Sequence, residues 1–146
     1  MPSSTGVDTN LDRESVLIKR TSAPDTVSDA VDMAVLTSFE EAQGEGEPDL
    51  VVELIDLYLE DTPHRVAAMR EAMAKTDGQS LERAAHCLKG SSASLGAGQV
   101  AVLCEELEQI ARDFSFQAVE VVVTRLEHEF ERVRQTFLAE RQRRLG

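Results

Sequence analysis

Cysteine is scarce in this 146-residue chain, with only Cys87 and Cys104 present. Two cysteines without C-x-x-C spacing form neither a disulfide framework nor a zinc knuckle, which predicts two free thiols in a reducing cytoplasm. No apolar run approaches the ~18 residues of a membrane-spanning helix. The start, MPSSTGVDTNLDRE, has no basic stretch followed by an apolar one, so no secretory signal is expected. The length fits one domain, large enough to bury a core without disulfides or a structural metal.

Positive charge is missing from a long stretch. Between Thr21 and His64 stand twelve Asp or Glu and no Lys or Arg. The chain holds 27 acidic and 15 basic side chains in all, so outside that stretch the charges cancel and the net −12 resides within it. Nucleic acid draws its affinity mainly from Lys and Arg, and anionic membranes repel the same surface, so neither is an expected partner. The basic end, Arg141, Arg143 and Arg144, is expected to complement a helix C-terminus.

Residues 1–30 mix Ser, Thr, Asp and Pro around a brief apolar patch, Val16-Leu17-Ile18, and read as a flexible tail or linker. A helical period begins at residue 31 and runs through the domain expected over 31–146. Val31, Val35, Leu36 and Phe39 predict a short first helix, ended by Gly44 and Gly46, with Pro48 in the first turn of the next. A second helix, about 47–60, would bury Leu50, Leu54, Leu57 and Tyr58 and expose Glu53, Asp56 and Glu60. Thr62-Pro63 predicts an N-cap opening a third, with Val66, Met69 and Met73 inward, and Asp77-Gly78 a turn. Met33 joins Met69 and Met73 as expected core filler.

Three further helices complete the pattern. The next carries Leu81, Ala85, Leu88, Ser92 and Leu95 at spacings of four, three, four and three, and Gly96 and Gly98 break it. Val100, Leu103, Leu107 and Ile110 stripe the one over about 98–112. The last, about 116–142 with Ser115 as N-cap, carries a seam of Val119, Val122, Leu126, Phe130, Val133 and Phe137. No segment alternates over a strand's length. The predicted class is all-α, an antiparallel four-helix bundle with a short N-terminal capping helix.

Familiar chemical motifs are absent as well. Neither G-x-x-x-x-G-K-[ST] nor G-x-G-x-x-G occurs, nor H-E-x-x-H, nor G-x-S-x-G, so a self-sufficient enzyme is not expected. His64 and His128 read as exposed bystanders. On a wheel of about 100° per residue, His86 falls on a side face, in a strip of Glu82, His86, Lys89 with Gly90, and Ala93. An imidazole is largely neutral at cytoplasmic pH and so nucleophilic. A lysine one turn on can pair with phosphoryl oxygens, and a glycine lets a partner approach the ring. Mid-helix glycine costs about 1 kcal/mol against alanine, so it asks for a reason. Lys89-Gly90 is equally readable as a helix ending with Ser91 to Ser94 in a loop, and periodicity does not choose. The hydroxyls of Ser91, Ser92 and Ser94 read as small residues permitting close approach.

The run His86-x-Leu88-Lys89-Gly90-Ser91-Ser92-x-x-x-Gly96-Ala97 closely resembles the signature of histidine-containing phosphotransfer (HPt) domains of multistep phosphorelays. Leu54-Ile55-Asp56-Leu57-Tyr58-Leu59-Glu60-Asp61-Thr62-Pro63 is similar to that family's second helix and turn, and Leu103-Cys104-x-x-Leu107-Glu108 to the helix after the signature. The resemblance spans about residues 33–140. It implies a continuous helix through Gly90 and a phosphoacceptor role for His86. Lys89 would steady the phosphoryl group and Gly90 would give the receiver access. Glu108 falls where the family faces the histidine, either bonding the other ring nitrogen or standing in solvent. Response-regulator receiver domains are the implied partners, with a hybrid histidine kinase as a further candidate. No cofactor is expected in this chain, Mg²⁺ belonging to the receiver. The expectation is thus a monomeric cytoplasmic phosphocarrier. Two other readings stand beside it: a module phosphorylated directly by a histidine kinase, and a helical interaction domain in which His86 is incidental.

Overall fold

The structure is a computed structural model and describes residues 29–44, 46 and 49–146. All but the last two residues of the expected tail over 1–30 lie outside the described residues, as does Pro48. Among the described residues five helices follow in order: α1 (Met33–Ala42), α2 (Leu50–Ala74), α3 (Gly78–Ser94), α4 (Gly98–Asp113) and, after a single 3₁₀ turn at Phe116–Ala118, α5 (Val119–Leu145). Each of the four long helices packs on two others in a closed ring, α2 on α3 and α5, α4 on α3 and α5, while α1 rests on α2. The short connections between α2, α3, α4 and α5 make successive helices antiparallel. This is the expected all-α bundle with its capping helix. No helix among the described residues is long and apolar enough to cross a membrane.

The apolar stripes explain the assembly. Leu81, Ala85, Leu88, Ser92 and Leu95 of α3 are all buried, as are Val119, Val122, Leu126, Val133 and Phe137 of α5. Tyr58 joins α2 to α5 through ring contacts with Phe130 and Phe137, centroids 6.0 and 5.6 Å apart. Its hydroxyl, 2.7 Å from Ser92 Oγ, gives both buried polar groups a partner.

Pro63 does not start a helix; it lies inside α2. The second and third expected helices are therefore one. Pro63 has no N–H to offer the Leu59 carbonyl, but it sits on the exposed side. The buried line Ile55, Tyr58, Thr62, Val66 and Met69 runs past it without a missed turn. Thr62 caps nothing; its hydroxyl donates to the Tyr58 carbonyl at 2.8 Å. Leu57 is 63% exposed rather than buried, because it lies well round the helix from the Ile55 and Tyr58 line. Met33, in the open first turn of α1, is exposed and not core filler. α2 begins at Leu50, capped by Asp49, whose carboxylate accepts from the Val51 and Val52 amides. Asp77 is the N-cap of α3 rather than a simple turn residue, accepting from the Ser80 amide and hydroxyl. Ser115 makes no side-chain cap.

The basic end meets carboxylates instead of a helix terminus alone. Arg144, only 8% exposed, pairs with Glu140 of its own helix at 2.7 Å, with Asp49 at 3.2 Å and with Glu40 at 2.9 Å. Arg141 pairs with Asp56 at 2.7 Å and Arg143 with Glu140. Part of the acidic segment is thereby neutralised, and the end of α5 is tied to α1 and α2.

Two helix ends take opposite solutions to one problem. α3 closes at Gly96, φ +85°, where the Gly96 and Ala97 amides donate to the Ala93 and Ser92 carbonyls. The Gly96 carbonyl accepts from the Asp32 amide at 2.8 Å, which hooks the start of α1 to this turn. A Cβ on Gly96 would stand 2.7 Å from the Asp32 carbonyl oxygen. α2 closes in the same pattern with Thr76 at φ +52°, a conformation costly for a β-branched residue. Gly96→Ala should therefore lose about 2 kcal/mol or more. Thr76→Gly should gain about 1 kcal/mol, a few degrees in Tm. Urea and thermal unfolding of the two variants check both signs.

Candidate functional site

α3 runs unbroken through Gly90 to Ser94, so Lys89-Gly90 is not a helix end. The apolar stripe continues through Ser92 and Leu95, and Gly96 supplies the stop. Gly90 is exposed, and a Cβ built there would meet nothing within 4 Å. The serine hydroxyls are occupied along this stretch. Ser91 donates to the Leu88 carbonyl, Ser94 to the Gly90 carbonyl, and buried Ser92 bonds Tyr58. His64 and His128 are exposed.

His86 stands on the flank of α3 with its side chain 70% exposed. Its Nδ1 lies 2.7 Å from Glu108 Oε2. Glu108 is only 1% exposed, and its other oxygen accepts from Lys89 Nζ at 2.7 Å. Lys89 also donates to Glu105 at 2.8 Å. The structure thus brings together His86, Lys89 and Glu108, while Gly90 leaves the surface beyond them bare. α4 places Glu108 by its own stripe. Cys104, Leu107 and Ala111 are buried, and Glu108, four residues after Cys104, shares that inward face and meets α3. Glu82 and Arg112 tie α3 to α4 nearby, at 2.9 Å.

The electrostatics follow from these contacts. Burial pushes the Glu108 carboxyl up, but the hydrogen bonds from Lys89 and His86 outweigh it and hold the group below the ordinary carboxylate range. It is therefore ionised at neutral pH and can only accept. Nδ1 must then carry the proton. In the neutral ring, Nε2, across from Nδ1, then holds the lone pair. Hydrogen bonds to Glu105 and then Glu108 raise the Lys89 ammonium, which stays charged. The free Cys104 thiol beneath is pushed up to about 12 by burial, so it remains protonated. Cys87, also free, is exposed beside His86.

Sequence reasoning left Glu108 open between two roles and missed Glu105, the second carboxylate on Lys89. The three-residue spacing of Glu105 and Glu108 on one helix was the available signal. Among the described residues, no group of three or more His, Cys, Asp or Glu side chains is arranged to hold a metal ion.

The Glu108 anchor is pH-dependent in a definite sense. A carboxyl held low in the folded state stabilises the fold above its unfolded value of 4.5 and ceases to as pH falls below the folded value. Lys89→Met removes the larger of the two hydrogen bonds that lower it. The variant should unfold at lower urea than the parent at pH 7, with the difference shrinking as pH falls below about 4.5. A difference that stays constant from pH 7 to pH 3 would show that Lys89 does not act through Glu108.

Residues 53–136, more than half the chain, match the Hpt domain family. Histidine-containing phosphotransfer protein 2 of Arabidopsis thaliana is 34% identical over 76 residues, 50% of this chain and 49% of that protein. The chain spans about half the length, or less, of the curated relatives it matches. The crystal structure of histidine-containing phosphotransfer protein B from Pseudomonas aeruginosa PAO1 is 34% identical, with a TM-score of 0.73 over 80% of this chain and 97% of that one. The maize protein ZmHP2, 24% identical, shares the fold at a TM-score of 0.71, covering 92% and 99% of the two chains. A helical bundle with an exposed imidazole buttressed by a buried carboxylate, matched in sequence and in fold, belongs to the Hpt domain family.

Proposed function

We propose that this chain is a phosphorelay intermediate that accepts a phosphoryl group on His86 from an aspartyl phosphate of a receiver domain and passes it to another receiver. The observation that carries this reading is the 2.7 Å hydrogen bond from His86 Nδ1 to the buried Glu108, which in the neutral ring puts the proton on Nδ1 and the lone pair on Nε2. In the transfer, the Nε2 lone pair attacks phosphorus as the bond to the aspartyl oxygen breaks, and the aspartate leaves as carboxylate. Nδ1 keeps its proton, so the ring becomes a cation, and the Glu108 carboxylate stabilises that charge where it develops. Donation to the next receiver reverses each bond. Lys89 holds Glu108 in place and is near enough in sequence to steady phosphoryl oxygens. Mg²⁺ is expected on the receiver's side, and the chain acts as a monomeric carrier without nucleotide chemistry of its own.

Gly90 supports the same reading. Nothing among the described residues requires a missing side chain there, yet the glycine weakens α3. Beyond it, Leu54, Leu57 and Tyr58 of α2 with Phe39, Ser91 and Leu95 border a groove of about 480 Å³. An exposed Leu57 beside it offers apolar contact to a docking receiver. The cytoplasm, where receivers act, is the corresponding compartment.

A receiver charged with labelled acetyl phosphate should pass acid-labile label to this protein, and His86→Gln should take up none. Normal labelling of that variant would sink the proposal. Labelling by an ATP-charged histidine kinase, with none from any receiver, would point to direct phosphorylation instead. Gly90→Ala should stabilise the fold by about 1 kcal/mol while slowing receiver transfer several-fold. Unfolding curves and stopped transfer reactions separate those two effects.

A further inference from the structure

We infer that Arg83 is a second cation of the site, and that its guanidinium meets the phosphoryl group once it is on His86. This rests on the reading of His86 as the phosphoacceptor. Lys89 is the cation the spacing suggests first, but two of its three donors are engaged, with Glu105 at 2.8 Å and Glu108 at 2.7 Å. Turning it fully to a phosphoryl group would strip Glu108, 1% exposed, of one of its two charged or polar partners.

On the other side of the ring, Arg83, His86, Cys87, Glu108 and Arg112 border a shallow depression of about 380 Å³. Arg112 is held by Glu82 at 2.9 Å. Arg83 is exposed, and no hydrogen bond or ion pair holds it among the described residues. Its charge is felt by the Asp77 carboxyl, but both oxygens of Asp77 are occupied by Ser80. Arg83 stands three residues before His86. Helical side chains lean toward the N-terminus, so the imidazole overlies the turn that carries Arg83.

Charge balance leads to the same residue. Around the ring stand Glu82, Glu105 and Glu108 against Arg83, Lys89 and Arg112. A phosphoryl group adds between one and two negative charges and upsets that balance. Among the described residues Arg83 is the cation of the three without a carboxylate within hydrogen-bonding reach, and a guanidinium presents paired N–H groups to phosphoryl oxygens.

The full chain can be loaded with potassium phosphoramidate, which needs no receiver. Nε2 attacks phosphorus, the P–N bond of the reagent breaks, and the nitrogen takes a proton from water and leaves as ammonia. The parent, Arg83→Gln and Arg83→Lys are then compared by ³¹P NMR titration at low salt. A nearby guanidinium favours the doubly ionised phosphoryl group. Arg83→Gln should therefore move its second ionisation upward by about half a pH unit, and Arg83→Lys should move it less. The share of protein loaded from a charged receiver should fall roughly two- to fivefold in Arg83→Gln. Melting of the unloaded protein should not change. Superimposable ³¹P titrations of the parent and Arg83→Gln would overturn the role of Arg83 and leave the carrier reading intact. No phosphoryl uptake by His86 from either source would bring down both.

Discussion

A single buried carboxylate, Glu108, organises the polar cluster on the flank of α3. Buried against α3 and ionised, it is bound by His86 through one oxygen and by Lys89 through the other. Either contact alone would leave the charge of a buried carboxylate poorly compensated. Together they hold the ring's orientation and, in its neutral form, place the proton on Nδ1. In this arrangement Lys89 is a support for Glu108.

The packing of α3 on α4 holds that carboxylate in place. α3 and α4 must keep their register for Glu108 to meet His86, and the turn between them is fixed by Gly96 and by the Asp32 amide of the chain entering α1. Glu82 and Arg112 bridge the same pair of helices one turn away. At the far end of α5, Arg144 gathers Glu40, Asp49 and Glu140. The capping helix is therefore held at both its ends by polar contacts, with Leu36 buried between them.

Helix content, the buried stripes of α3 and α5 and the exposed strip bearing His86 were legible because burial imposes a period of 3.6 on the sequence. Breaks were less legible. Pro63 reads locally as a start, yet packing of Tyr58, Thr62 and Val66 on one line outweighs one absent hydrogen bond. Leu57 reads as core by its type, and only the third dimension shows it turned outward. The choice between a helix ending at Gly90 and one running on needed tertiary context, since both readings satisfy the local rules. Glu108 illustrates the deeper limit. Its burial depends on two partners 19 and 22 residues away in sequence, and no window along one helix contains that information.

The geometry of the imidazole has a kinetic corollary. One nitrogen faces outward, on one side of one helix, with its opposite number held by Glu108. Two proteins cannot engage it together. On the proposed reading, donor and acceptor compete for a common landing place and must visit in turn. The carrier then cycles by double displacement, and an excess of either visitor slows the traffic of the other.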